Sequence, residues 1–358
     1  RRTGLSTDAV VGDGMVVSGL LPNTPVVNVA VVAVATGLIW MGSGWLESSA
    51  DRLSRQYGLP AVIQGSVVVA VGSSSPELAS VVVAALAGAF DLGVGGVVGS
   101  AIFNVLVIPA AASVVTDGPL DASRTLVYKE AQFYMIAVSA LVVTFALAVI
   151  YYPTGGAELE GQITRGLALL PLLLYGLYLF IQWQDVSDHE AAAAPGDVSV
   201  LREWGKLAAG LVVILVTVEG LVGAVEGLSH TFDVPPFLAG VTIIAGATSL
   251  PDVLVSARAA RAGKGVTSLG NVLGSNTFDL LVAIPLGVLI AGSAPVNFAV
   301  AVPMMGVLTL ATILLFAVLR TDLTLTTVEA YALWGAYLLF VGWIVAETAG
   351  VTDLVRGA

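Results

Sequence analysis

Cysteine is absent from the 358 residues, histidine occurs twice and lysine three times. Without cysteine the chain has no disulfide staples and no thiolate metal sites. The two histidines, His189 and His230, read as loop residues and cannot build a Ser-His-Asp constellation or a histidine-rich metal centre. Charge is scarce too. Only 11% of residues are Asp, Glu, Lys or Arg against 57% hydrophobic, and the mean hydropathy is +0.95. That balance excludes an ordinary water-soluble globule and predicts a polytopic membrane protein. Residues 1–25 lack the continuous apolar core of a signal peptide and read as a short polar tail.

Apolar runs of about 20 residues mark membrane-spanning helices. Ten occur, at roughly 26–46, 61–89, 93–115, 130–151, 165–183, 207–228, 235–260, 266–292, 297–319 and 327–349. The longest polar connection, Asp185 to Lys206, separates a first five-span unit (26–184) from a second (207–358). Lys and Arg divide unequally between the two sides that ten spans would define. Ten fall on the side of Arg52, Arg124, Lys206, Lys264 and Arg320, and four on the side of Arg1, Arg2, Arg165 and Arg356. The richer side is expected to be cytoplasmic, which makes 185–206 a cytoplasmic linker and puts both termini outside the cell membrane.

The two units resemble each other. A shift of 175 residues lays GSSSPE (72–77) on ATSLPD (247–252) and GGVVGSAIFN (95–104) on GNVLGSNTFD (270–279), with 11 identities over 33 ungapped positions. The identities include Ser74/Ser249, Pro76/Pro251, Gly99/Gly274, Ser100/Ser275 and Phe103/Phe278. Chance similarity between apolar helices would match Val and Ala, not Pro, Ser and acid in register. A duplicated unit with an odd number of spans enters the membrane from opposite sides in its two copies. The expected fold is therefore all-α, ten transmembrane helices as two inverted five-helix repeats, with the substrate site at their interface.

The motifs carry their own chemistry. Glu77, Asp252 and Asp279 are expected deep in the bilayer, where an acid costs about 2.5 to 3.5 kcal/mol even on the lower scales. No basic residue lies at comparable depth in either motif, so the counter-charge has to come from solution. Pro76 and Pro251 cannot donate a backbone hydrogen bond, and they free carbonyls near Gly72–Ser74 and Ala247–Ser249. With the hydroxyls of Ser73, Ser74, Thr248 and Ser249, the site is built from oxygen alone, which suits hard cations such as Ca²⁺, Na⁺ or K⁺ rather than zinc or copper. Asn104 and Asp279 each lie 27 residues beyond their partner acids. Ser100 and Ser275 precede them by one helical turn and share their face. Gly95, Gly96, Gly99, Gly270 and Gly274 allow close helix approach.

The pattern G-[ST]-S-x-P-[ED] followed by G-S-[NA]-x-F-[ND], present twice with Ala247 in place of the leading glycine in the second copy, resembles the alpha repeats of the calcium/cation antiporter superfamily, the sodium/calcium exchanger family. The pairing of Glu in the first repeat with Asp in the other one is most similar to its potassium-dependent branch. The resemblance implies that Glu77 and Asp252 coordinate calcium. It implies that Ser73, Ser74, Thr248, Ser249, Asn104 and Asp279 complete the calcium and monovalent sites, and that Ser100 and Ser275 contribute to sodium sites. Gly96 and Ala101 stand where the family usually has Asn, which bears on monovalent selectivity. The implied activity is exchange of Ca²⁺ for Na⁺, with K⁺ or H⁺ as further coupling ions. No cofactor, enzymatic step or nucleic-acid partner is expected; the partners are inorganic cations and the lipid bilayer.

Rival readings fit less well. An intramembrane aspartyl protease lacks its GxGD context here, and a passive channel does not call for a closed cage between inverted halves. Glu219, inside LVVILVTVEGLVG, is a further deep acid that either lines an ion path or makes a structural hydrogen bond. Glu47 and Glu226 are expected near the interface, on the first and sixth spans, which are candidates for a moving pair.

Overall fold

Apolar composition makes these segments helical, because backbone N–H and C=O groups in lipid have to be satisfied within the segment. A computed structural model of the chain describes residues 22–58, 70–116, 118–124, 126–155, 159–186, 199–352 and 355. Among the described residues, nine helices are long and apolar enough to cross a membrane. They are α1 (Pro25–Gln56), α3 (Phe90–Val114), α4 (Leu126–Tyr151), α5 (Arg165–Val186), α6 (Val200–Phe232), α7 (Pro236–Arg261), α8 (Gly265–Ala291), α9 (Phe298–Arg320) and α10 (Thr327–Thr348). The remaining expected span is represented by a shorter apolar helix, α2 (Ser75–Ala87), preceded by one turn at Ala70–Ser73. Its first part, 61–69, lies outside the described residues, as do most of the N-terminal tail and the middle of the linker with His189.

Local signals set the ends. Thr24 caps α1 with Pro25 behind it, and Thr326 with Glu329 forms a reciprocal capping box at α10. Gly88 (φ 78°) and Gly263 (φ 72°) close α2 and α7 in the left-handed conformation, which explains why this glycine is identical in the two repeats. Two boundaries differ from expectation. Helix α6 begins at Val200, so residues 200–206 are its first turns and not linker. His230 lies in the last turn of the same helix and not in a loop.

The motif helices form the centre. Over their most apolar windows α3 and α8 are 78% and 83% buried, against 28% for α1 and 22% for α10, whose remaining faces are left for lipid. Two short antiparallel ribbons tie the halves together. One pairs Leu120–Asp121, after α3, with Thr324–Leu325, before α10. The other pairs Ser293–Asn297, after α8, with Glu160–Thr164, before α5. Each joins the segment after the third helix of one half to the segment before the fifth helix of the other.

Helices α1 and α6 form a pair of their own. They pack antiparallel along their length: Gly42 meets the Gly210 carbonyl, Gly227 meets Asn23 and Asn28, and Ser49 Oγ donates to Glu203 Oε2 at 3.0 Å. Arg52 and Lys206 reach the other Glu203 oxygen at 3.2 and 3.5 Å. The buried apolar residues of α1 and α6 cluster with a few from α2, α3 and α7, separately from the main core around α3, α4, α8 and α9.

Candidate cation site

Proline and glycine shape the site before any polar group is considered. In the first motif the helix is interrupted at Ser74 and restarts at Ser75, with Pro76 in the first turn. The second motif is not interrupted at the matching place. There α7 continues through Pro251, and the irregularity lies upstream as a π turn at Gly240–Ile244. Both prolines still withhold a donor, so the carbonyls one turn before them, Gly72 and Ala247, lose their helical partner.

A further π turn begins at Asp279 and runs to Ala283. A π turn accommodates one extra residue in a helix. The sequence contains that residue: five positions separate Asn104 from Pro109, and six separate Asp279 from Pro285. The two equivalent positions therefore sit on different backbones.

Glycines bring the motifs into register. A Cβ on Gly95 or Gly99 of α3 would run into the backbone carbonyls of Phe237 and Val241, and one on Gly240 into that of Leu92. The α3 and α7 backbones thus cross with no side chain between them, and polar side chains from both halves meet beside the crossing.

Every candidate ligand predicted from the motifs is buried. Glu77, Asp252, Asp279, Asn104, Ser74, Ser249, Ser100 and Ser275 are fully buried, and Ser73 and Thr248 nearly so. Hydrogen bonds join the halves directly. Ser100 Oγ donates to Glu77 Oε1 at 3.3 Å and lies 2.7 Å from Ser249 Oγ. Ser73 Oγ lies 3.0 Å from Ser275 Oγ. Asn104 Nδ2 donates to Asp252 Oδ2 at 3.3 Å. The two serine bridges are unlike: Ser275 takes the first hydroxyl of the motif it faces, and Ser100 takes the second. Thr248 adjoins Glu77, and its counterpart Ser73 adjoins Asp252.

Several of these oxygens are left over. Among the described residues Glu77 Oε2, Asp252 Oδ1, both Asp279 oxygens, Ser74 Oγ and Asn104 Oδ1 have no partner at hydrogen-bond distance and angle, although Ser74 adjoins Asp279. The ion pairs Arg52–Glu203, Lys206–Glu203 and Arg55–Asp51 lie elsewhere. A buried carboxylate without a partner is costly. Among the described residues no three His, Asp or Glu side chains converge tightly enough to hold a metal by themselves. The three acids are within electrostatic range of one another, so a cation here would need hydroxyl, amide and backbone oxygens between them. Such a distributed, all-oxygen shell suits Ca²⁺ and the alkali ions.

Sequence reasoning overlooked several neighbours. Glu47, expected at the interface, is half-buried within the field of Asp252, and Gly72 packs against it and Leu46. Asn271 adjoins Asp252, and neither of its amide atoms has a partner among the described residues. Tyr134 and Tyr175, from α4 and α5, lie near Asp279; the Tyr175 ring stands edge-on to Phe278. Nothing in their local sequence marks these tyrosines. Asn271 could have been found, since it faces Gly96 in the repeat alignment. Glu219 and Glu226 are half-buried on α6 and take no part in the hydrogen bonds described above.

A helical membrane protein with a buried cluster of acidic, hydroxyl and amide oxygens where its two halves cross belongs to the class of cation carriers. Residues 27–184 and 203–346 match the family described as sodium/calcium exchanger protein, and the chain belongs to that family. The putative antiporter CaxA of Alkalimonas amylolytica is 30% identical over 71% of this chain and 77% of its own length. Sodium/potassium/calcium exchanger 5 of Homo sapiens is 24% identical, covering 69% of this chain and 67% of its own. The fold is that of the sodium-calcium exchanger NCX_Mj, in crystals soaked with Na⁺ and Sr²⁺. It superimposes with a TM-score of 0.60 at 22% identity, over 89% of this chain and 99% of that one.

Proposed function

We propose that this protein is a secondary active antiporter that exchanges Ca²⁺ for Na⁺ across the cell membrane by alternating access, with Glu77 and Asp252 as the shared carboxylate ligands. The observation that carries the reading is the set of buried oxygens on Glu77, Asp252, Asp279, Ser74 and Asn104, contributed by both repeats, that have no hydrogen-bond partner among the described residues, with no Lys or Arg of those residues among the main influences on the three acids. Ser73, Thr248, Ser249, Ser100 and Ser275 complete the calcium and sodium shells.

Exchange follows from sharing. Calcium and sodium that need the same carboxylates cannot both be fully bound, so each displaces the other, and the site crosses the membrane loaded with one or the other. Helices α1 and α6, with their own apolar cluster and the Glu203 network binding them to each other, move as a unit and expose the site to one side at a time. The ten-to-four distribution of Lys and Arg supports a cytoplasmic linker and external termini.

Potassium is assigned to the neighbourhood of Asp279, the carboxylate that replaces Asn104 in the second repeat. Support comes from the motif and from the sodium/potassium/calcium exchanger among the relatives. The test is calcium uptake into proteoliposomes driven by an outward sodium gradient, with and without potassium, and with a proton gradient in its place. Uptake driven by sodium and strengthened by potassium supports the reading, uptake driven only by protons replaces the coupling ion, and calcium leak without any gradient points to a channel.

A further inference from the structure

An amide and a carboxylate make different demands on their surroundings. Both oxygens of Asp279 can face a cation, but Asn104 has only one oxygen, and its other end is an NH₂ that a cation repels. Asn104 therefore needs a group that decides which way round it sits.

The structure holds such a group at that position and lacks it at the equivalent one. Asn276 Nδ2 donates to the Ala101 carbonyl at 3.0 Å and to Tyr134 Oη at 3.1 Å. A backbone carbonyl only accepts, so this contact sets which end of Asn276 is nitrogen. Asn276 Oδ1 is then directed at Asn104, where it accepts from Nδ2 at 3.0 Å. Asn104 Nδ2 also meets Asp252 Oδ2, and its Oδ1 is left without a partner in a fully buried position. A reversed Asn104 would set its oxygen against the oxygens of Asn276 and Asp252 together. Asp252 alone is a poor guide, because a bound cation would draw on the same carboxylate.

Across the repeat, Asn276 corresponds to Ala101, whose methyl cannot hydrogen-bond. The amide at 104 is paired with an amide from the opposite half, and the position aligned with that partner carries only a methyl. We infer that Asn276 is a positioning residue of the cation site, holding Asn104 with its oxygen toward the ion. The inference rests on the proposed ligand set.

Equilibrium calcium binding to the purified full chain tests it, in the parent, N276A, N104D and the double variant, with E77Q alongside and the melting temperature recorded for each. N276A is expected to weaken calcium binding by about tenfold in the parent, the worth of one good hydrogen bond. In the N104D background the same change is expected to cost less than about twofold, since a carboxylate has no wrong way round. An equal loss in both backgrounds, no loss in either, or an N104D protein that binds no calcium overturns the proposal. Should N276A not fold, N276S carries the same comparison, because its hydroxyl is too short to reach Asn104. An E77Q protein that binds calcium like the parent instead defeats the ligand assignment and is distinguishable from all of these outcomes.

Discussion

Glu77 and Asp252 each have one carboxyl oxygen bonded, Glu77 to Ser100 of its own repeat and Asp252 across the interface to Asn104, and one without a partner among the described residues. Replacing either by its amide keeps the shape and removes the charge. Glu77→Gln and Asp252→Asn are expected to fold and to lose at least about 2 kcal/mol of calcium affinity, ~30-fold, the lower end for removing one member of a buried charge pair. Radiolabelled calcium uptake checks this, and parental uptake in either variant refutes the assignment. Asp279 differs from both, because neither of its oxygens has a hydrogen-bond partner among the described residues and its backbone is a π turn. Asp279→Asn is expected to change the sodium and potassium dependence of exchange more than calcium binding; unchanged monovalent profiles speak against it.

The crossing of α3 and α7 depends on hydrogen atoms where other residues have side chains. Gly99→Ala would drive a methyl into the Val241 carbonyl, and backbone cannot yield as a long side chain can. Overpacking of this kind costs about 1 to 3 kcal/mol, with the upper end expected here. Thermal unfolding in detergent should show a clearly lowered midpoint, and an unchanged one means that the two helices separate easily. Gly44, beside which an added Cβ would meet nothing within 4 Å, serves as the control. Of the helix irregularities that the two prolines lead one to expect, one was legible in the chain and one was not. Pro76 announces a break, and the helix does break beside it. Pro251 announces the same, yet α7 runs through it, and the irregularity of that helix lies upstream at Gly240–Ile244.

Orientation belongs to the entire protein and can be read directly, since the chain contains no cysteine. Single cysteines at Lys264, after α7, and at Thr231, at the end of α6, are both exposed positions. A membrane-impermeant maleimide should label Thr231→Cys on intact cells, and Lys264→Cys only after permeabilisation. The reverse pattern inverts the topology, and labelling of both from outside removes the alternating arrangement of the loops.

Composition, hydropathy and the 175-residue self-similarity determined the helical membrane fold, the approximate positions of nine spans among the described residues and which acids are deeply buried, because burial in lipid permits few backbone solutions and punishes any charge without a purpose. The tertiary structure decided which oxygens face one another. The Asn104–Asn276 contact joins residues 172 apart, and Tyr134 and Tyr175 reach the site from helices that carry no motif. The unlike serine bridges arise because the two halves, similar in sequence, pack against each other with different backbones. Hydrogen-bond partners at that separation depend on fractions of an ångström in helix register, a quantity that no local pattern of residues encodes.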